Sequence, residues 1–258
     1  MTADNERAKK KRTEGNYDDP SCAYCPPVVR ACRDGEDETR GPGFCPTKVN
    51  DAAVKRAEHL YSDPFVRRVS QESARVESEG YCKWTRVEEI VHFAKKMGFE
   101  KIGIATCISF VDHANTLSQI LESHGFDVAS AACKNGSIPK EDIGLLDSEK
   151  IRPGGHESLC NPISQAQVLN DAGCQLNVVL GLCIGHDSLF FKYSEGLVTT
   201  LVAKDRGLAH NPVGALNLAD SYFSRIWGPE RPEKPPKLPK QGRRDWGNFR
   251  LSGVESQE

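Results

Sequence analysis

Between residues 85 and 228 the chain switches repeatedly between a helical apolar period and short, nearly continuous apolar runs. TRVE sets Glu88 three residues after Thr85, the signature of a capping box. Val87, Ile90, Val91, Ala94 and Met97 follow at helical spacing, and Gly98 is the expected stop. KIGIAT (101–106) then reads as a strand buried on both faces, since such strands lose the in–out alternation. A second helix follows, with Val111, Ala114, Leu117 and Leu121 inward, and FDVASAA reads as the second strand. After a long insertion, 134–159, Asn161 and Pro162 open a helix that runs to Gly173. QLNVVLGL is the third strand, HDSLFFKYS a short helix capped by Asp187 or Ser188, and LVTTLVA the fourth strand. Asn211-Pro212 opens a last helix carrying Val213, Leu216, Ala219, Tyr222, Phe223 and Ile226.

Strands alternating with helices predict an α/β domain with a parallel sheet and right-handed crossovers. The expected architecture is Rossmann-like or flavodoxin-like, with about four strands in the order 2-1-3-4 and helices on both faces. Its switch point then lies between the first and third strands, and ligands bind there, outside the carboxyl ends.

The flanks are different. Residues 1–20 are charged and read as a disordered arm. Residues 21–46 are polar and Cys-rich, and 47–84 read as helices with imperfect apolar faces (Val49, Ala52, Ala53, Leu60, Tyr61, then Phe65, Val66, Val69, Val76). Residues 85–228 form the α/β domain, and 229–258 are rich in Pro and Lys and read as extended chain.

Composition narrows the function classes. With 34 basic and 36 acidic side chains the net charge is −2, so no global field favours nucleic acid or acidic lipid. Mean hydropathy is −0.51, and no apolar run approaches the ~20 residues of a membrane span. The polar start carries no apolar signal region, so a cytoplasmic location is expected. In a reducing compartment the ten cysteines serve metals or chemistry more readily than disulfides.

Two groups of thiols stand out. Cys22, Cys25, Cys32 and Cys45 are spaced C-x2-C-x6-C-x12-C in a segment too polar to fold alone. A metal is the usual staple for so short a piece. Structural zinc is expected there, with an iron–sulfur cluster as the alternative. Cys107, Cys133 and Cys183 each end a predicted strand, and Cys160 precedes the Asn161-Pro162 helix start. All four thus face one crevice. The helix dipole favours a Cys160 thiolate, and Lys134 favours one at Cys133. His186, three residues after Cys183, supplies an imidazole at the rim. His210 stands before Asn211-Pro212 as Cys160 stands before Asn161-Pro162, and Lys204 and Asp205 follow the fourth strand. The insertion reads as a lid or binding loop, with Arg152 a solvated side chain or, alternatively, an anion ligand, and His156 nearby. GxGxxG is missing after the first strand, there is no P-loop, and GLCIGHD lacks the second glycine of a nucleophile elbow.

The motifs CNPISQAQVLN, GLCIGHDSLFFKYSE and VTTLVAKDRGLAHNP, with KIGIATC and the N-terminal Cys set, resemble a domain-of-unknown-function family of Cys-rich prokaryotic proteins described as metal-binding. The resemblance covers roughly residues 20–227. It implies metal binding through the cysteines and no particular activity.

Three functions compete. The crevice thiols Cys107, Cys133, Cys160 and Cys183 hold an iron–sulfur cluster or soft metal for small-molecule chemistry. Alternatively, Cys183 or Cys160 is the nucleophile of a metal-free enzyme, with His186 as base. In the third reading the protein is a non-enzymatic metal sensor or carrier.

Overall fold

Strand β1, Lys101–Thr106, lies between two parallel neighbours, and its sequence explains why. Ile102 and Ile104 are fully buried on one face. Gly103 and Ala105 alternate with them and leave room on the other, where Leu169 and Asn177 press on Gly103. The computed structural model describes residues 20–25, 32 and 41–229. These fall into two compact units, one up to Val66 and one from Arg67 to Pro229.

In the larger unit β2 is Asp127–Ala132, β3 is Leu176–Leu182 and β4 is Leu197–Ala203. The sheet order is β2-β1-β3-β4, with every neighbouring pair parallel. Every residue of β3 is buried, as the unbroken run LNVVLGL requires of a central strand.

In the smaller unit, Pro46–Val49 forms α1 and Asp51–Leu60 forms α2. Helix α3, Pro64–Gly80, runs on from the boundary into the larger unit. All of α2 is exposed, so its apolar positions do not make a buried stripe. In α3, Val76 and Gly80 are buried, while Phe65 remains half exposed. Helix α4, Arg86–Met97, has the capping box: Thr85 accepts from the Glu88 N–H, and the Glu88 carboxylate accepts from the Thr85 N–H. Gly98 ends it in the left-handed conformation. Ile90, Val91, Ala94 and Met97 bury the expected stripe.

Helix α5 is Val111–Ser123, α6 is Pro162–Asp171 and α7 is His186–Tyr193. From β1 the chain crosses through α5 to β2; from β2 it crosses back through α6 to β3. Right-handed crossovers in opposite directions put α5 and α6 on opposite faces. Helix α7 joins β3 to β4 and packs against α6.

Two elements differ from expectation. The last helix is only Val213–Asn217 (α8), followed by turns and a 3-10 turn at Ser224–Ile226. Asn217, Asp220 and Ser221 favour turns by bonding to nearby backbone, and the Ser221 hydroxyl donates to the Leu218 carbonyl. Val213, Leu216, Tyr222 and Ile226 stay exposed. The 134–159 insertion is folded on itself. Pro139 and Ser158 form an antiparallel bridge, and the buried Lys150 ammonium is held by Glu141 (2.7 Å), Asp147 (2.6 Å) and the Gly155 carbonyl. Residues 1–19 and 230–258, which carry the charged arm and nearly all of the Pro/Lys-rich tail, lie outside the described residues.

Candidate active site

Cys107, Cys133 and Cys183 are each the first residue past the carboxyl end of β1, β2 and β3. Helix α6 brings the fourth thiol. Asn161 caps it through its side-chain oxygen, which accepts the Ser164 N–H at 3.0 Å, and Pro162 takes the first turn. The Asn161 N–H donates to the Cys133 carbonyl at 2.7 Å. That bond fastens the α6 start to the end of β2 and sets Cys160 beside Cys133.

Gln165 fixes this junction from below. It is fully buried on the inward face of α6, and its amide donates to the carbonyls of Thr106 (3.1 Å) and Ala131 (2.6 Å). Two of the three strand ends that launch a crevice cysteine, those of β1 and β2, are therefore tied to one side chain.

Cys107 and Cys183 have cationic partners of their own, whereas Cys133 and Cys160 partner each other. Cys107 Sγ meets the Ser109 hydroxyl at 3.4 Å and the Lys204 ammonium at 3.3 Å. Lys204 also donates to Ser109 and lies over the Phe110 ring. Burial raises the Cys107 thiol, but Ser109 and Lys204 outweigh it and bring its pKa below the ordinary value. Cys183 Sγ accepts from the Arg206 guanidinium at 3.3 Å. Cys133 Sγ accepts the Ile108 N–H at 3.3 Å.

Cys160 is the most polarised of the set. The Cys133 thiol and the His186 ring both donate to its sulfur. With the Lys134 charge nearby, these hold Cys160 well below the usual thiol range despite its partial burial. The same contact with Cys160, aided by burial, drives the Cys133 thiol strongly up. The hydrogen bond and the negative charge of Cys160 raise His186 above the ordinary imidazole value. All three shifts act in one direction: toward charge on Cys160 and His186 and toward a retained proton on Cys133.

The expected residues fare unevenly. His186 reaches the crevice, but its helix is capped by Gly185 (φ 81°) rather than by Asp187 or Ser188. The Lys134 charge acts on Cys160 and His186, while its ammonium donates to the Ser158 carbonyl. Lys204 pairs with Cys107 rather than with Asp205, whose carboxylate accepts the N–H groups of Gly207 (2.9 Å) and Leu208 (3.0 Å). His210 accepts the Asp205 N–H and packs edge-on against Phe110. Arg152 is exposed, and His156 bonds to Ser158 within the insertion. Cys174 is buried in the core and Cys82 is exposed.

Sequence reasoning did not single out Arg206, Ser109 or Gln165. Arg206 had a signal, since a charged run directly after β4 lies at the same sheet edge. Gln165 had one too, as the polar member of the buried set Pro162, Gln165, Ala166 and Leu169.

At the N-terminus, Cys22 and Cys25 share one 3-10 turn, closed by the Cys25 N–H on the Cys22 carbonyl at 3.0 Å. The Ser21 N–H donates to the Phe44 carbonyl, which brings the chain before Cys45 alongside that turn. Cys32 is exposed. Among the described residues, no three His, Cys, Asp or Glu side chains are arranged to hold a metal ion. No helix among them is long and apolar enough to cross a membrane.

Comparison with known proteins places the crevice in a family context. A family described as "protein of unknown function (DUF1847)" matches residues 45–201, more than half the chain. The match includes the four crevice cysteines and His186, and ends before Lys204 and Arg206. Uncharacterized protein MJ0455 of Methanocaldococcus jannaschii is 46% identical over 149 residues, which are 58% of this chain and 75% of that protein.

Proposed function

This chain belongs to the DUF1847 family, and we propose that it is a thiol-dependent enzyme in which Cys160 is the nucleophile and His186 its acid–base partner. The carrying observation is the Cys160 sulfur between the Cys133 thiol and the His186 ring, at the mouth of a helix N-terminus. Thiolate, imidazolium and an oriented N-terminus are the usual means of activating a cysteine. Cys160 Sγ forms a bond to an electrophilic carbon. The bond to the leaving group breaks, and that group leaves with the electron pair and takes its proton from His186. Lys134, Lys204 and Arg206 line the same edge with positive charge, so the substrate is a small anion or carries one. A single cluster would need the four thiols to share a centre. Their separate partners Lys204, Arg206 and His186 favour the nucleophile reading instead.

Limiting iodoacetamide at pH 5, followed by peptide mapping, tests this. An ordinary thiol is ionised there to roughly 0.03%, whereas a Cys160 thiolate is substantially formed. Lower basicity costs nucleophilicity, with a slope of about 0.45. The two effects combine to about a tenfold advantage for Cys160 over an ordinary thiol such as N-acetylcysteine added at equal concentration. Alkylation of N-acetylcysteine ahead of Cys160 would refute the assignment.

A second reading concerns the N-terminal segment and is compatible with the first. Cys22 and Cys25 in one turn, with Phe44, the residue before Cys45, bonded alongside, support a structural zinc held by Cys22, Cys25, Cys32 and Cys45. Four thiolates form a closed donor set, so this zinc would act as a staple.

A further inference from the structure

We propose that Cys133 and Cys160 form a redox dithiol that exchanges with small-molecule disulfides. The idea rests on the nucleophilic Cys160 described above, but it concerns a different electrophile, sulfur, and it gives Cys133 a covalent role.

The backbone is already set for the bond. The Asn161 N–H on the Cys133 carbonyl, at 2.7 Å, joins the two segments at the residue following Cys160. A disulfide needs its two Cα atoms about 4.4–6.8 Å apart, and this bond keeps the Cys133 and Cys160 segments adjacent. The Cys133 thiol also hydrogen-bonds the Cys160 sulfur, so the two sulfurs that would join are already partners.

Accessibility assigns the roles. Cys160 is half-buried and Cys133 is 2% exposed. An incoming disulfide therefore meets Cys160 first. The Cys160 thiolate attacks one sulfur of R–S–S–R. That S–S bond breaks, and the first thiolate leaves and takes the His186 proton. Cys160 now carries a mixed disulfide, with Cys133 behind it. The Cys133 sulfur attacks Cys160 Sγ and the Cys160–SR bond breaks. The second thiolate departs with the proton that Cys133 gives up. Two thiols are released, the external disulfide is reduced, and the Cys133–Cys160 pair is oxidised. The Ile108 N–H, 3.3 Å from Cys133 Sγ, points where negative charge develops as Cys133 loses its proton. The Cys107 segment is also bonded to Cys133, through the Cys133 N–H on the Thr106 carbonyl, but the Cys107 sulfur bonds Ser109 and Lys204 and the Cys183 sulfur bonds Arg206, and neither bonds the Cys133 thiol.

Glutathione disulfide, an anionic probe, tests the pairing on the reduced full-length chain under anaerobic conditions, with acid quenching and peptide mass mapping. The expected product is a Cys133–Cys160 cross-linked peptide two hydrogens lighter than its parts, with little glutathione left on Cys160. Cys133→Ser should trap glutathione on Cys160, raising its occupancy at least tenfold over the parent chain. If glutathione stays on Cys160 in the parent chain as it does in Cys133→Ser, Cys133 does not resolve it and the dithiol is overturned. A Cys160 bridge to Cys107 or Cys183 overturns it too, as does a Cys160 that glutathione disulfide never modifies. The parent-chain map alone decides the matter if Cys133→Ser fails to fold. Fast iodoacetamide alkylation of Cys160 without a Cys133–Cys160 bridge would leave the nucleophile standing and remove only the dithiol.

Discussion

Cys160 owes its state to neighbours far away in sequence: Cys133 from the end of β2, Lys134 beside it, and His186 from the first turn of α7. His186→Gln removes a charge and keeps a hydrogen-bonding group of similar reach. We expect the Cys160 thiol to rise toward its ordinary value, which moves the acid midpoint of its alkylation profile to higher pH. An unchanged midpoint would mean that Cys133 and the helix terminus hold the thiolate without help. At this scale the sequence was only partly legible. Cys160 and His186 were visible because each stands where a strand or helix end is expected. Their pairing was not, because it depends on α6 and α7 lying side by side. Arg206 and Gln165 were missed for a related reason. A guanidinium or amide declares its role through the sulfur or carbonyl it reaches, and no periodicity encodes that.

Among the elements, runs and caps were readable wherever one local rule dominated. KIGIAT, LNVVLGL and the Thr85–Glu88 box form what their patterns predict. The reading failed after Asn211, where polar turn formers interrupt a plausible apolar stripe and leave α8 five residues long. In the insertion, Lys150 and its two carboxylates build a folded loop that no hydrophobic pattern announces. Small residues on β1 carry the sharpest prediction. A Cβ at Gly103 would run into the Asn177 side-chain oxygen and lie 3.0 Å from Leu169 Cδ1, both in the core. Gly103→Ala should therefore destabilise the sheet by about 1–3 kcal/mol, the usual cost of overpacking. Thermal or urea unfolding checks this, and an unchanged midpoint would mean that α6 stands further from β1 than described.

For the whole molecule, alternation of strand and helix was enough to give the sheet order β2-β1-β3-β4, and with it the common edge for Cys107, Cys133 and Cys183. Topology was legible because parallel connections have one hand. What the edge does was less so, since thiols at one edge suit a shared metal and separate partners equally until those partners are known. The N-terminal segment presents the opposite case, with a C-x2-C pair plain in the sequence and only residues 20–25, 32 and 41–46 of it described. If zinc staples it, the purified chain carries one zinc per molecule. Cys25→Ser should then lose that zinc and expose residues 20–46 to protease. Unchanged zinc content and unchanged protection would refute the staple.

The central claim, a Cys160 thiolate sustained by its surroundings, is tested most directly by the pH dependence of Cys160 alkylation from pH 4 to 10, followed by peptide mapping. A lowered thiol pKa means that the anion is present throughout the neutral range and is lost only in acid. The account therefore predicts a rate that is flat through pH 7–9, where added N-acetylcysteine climbs as an ordinary thiol ionises at about pH 8.5. A Cys160 rate that rises in parallel with that of N-acetylcysteine would contradict it.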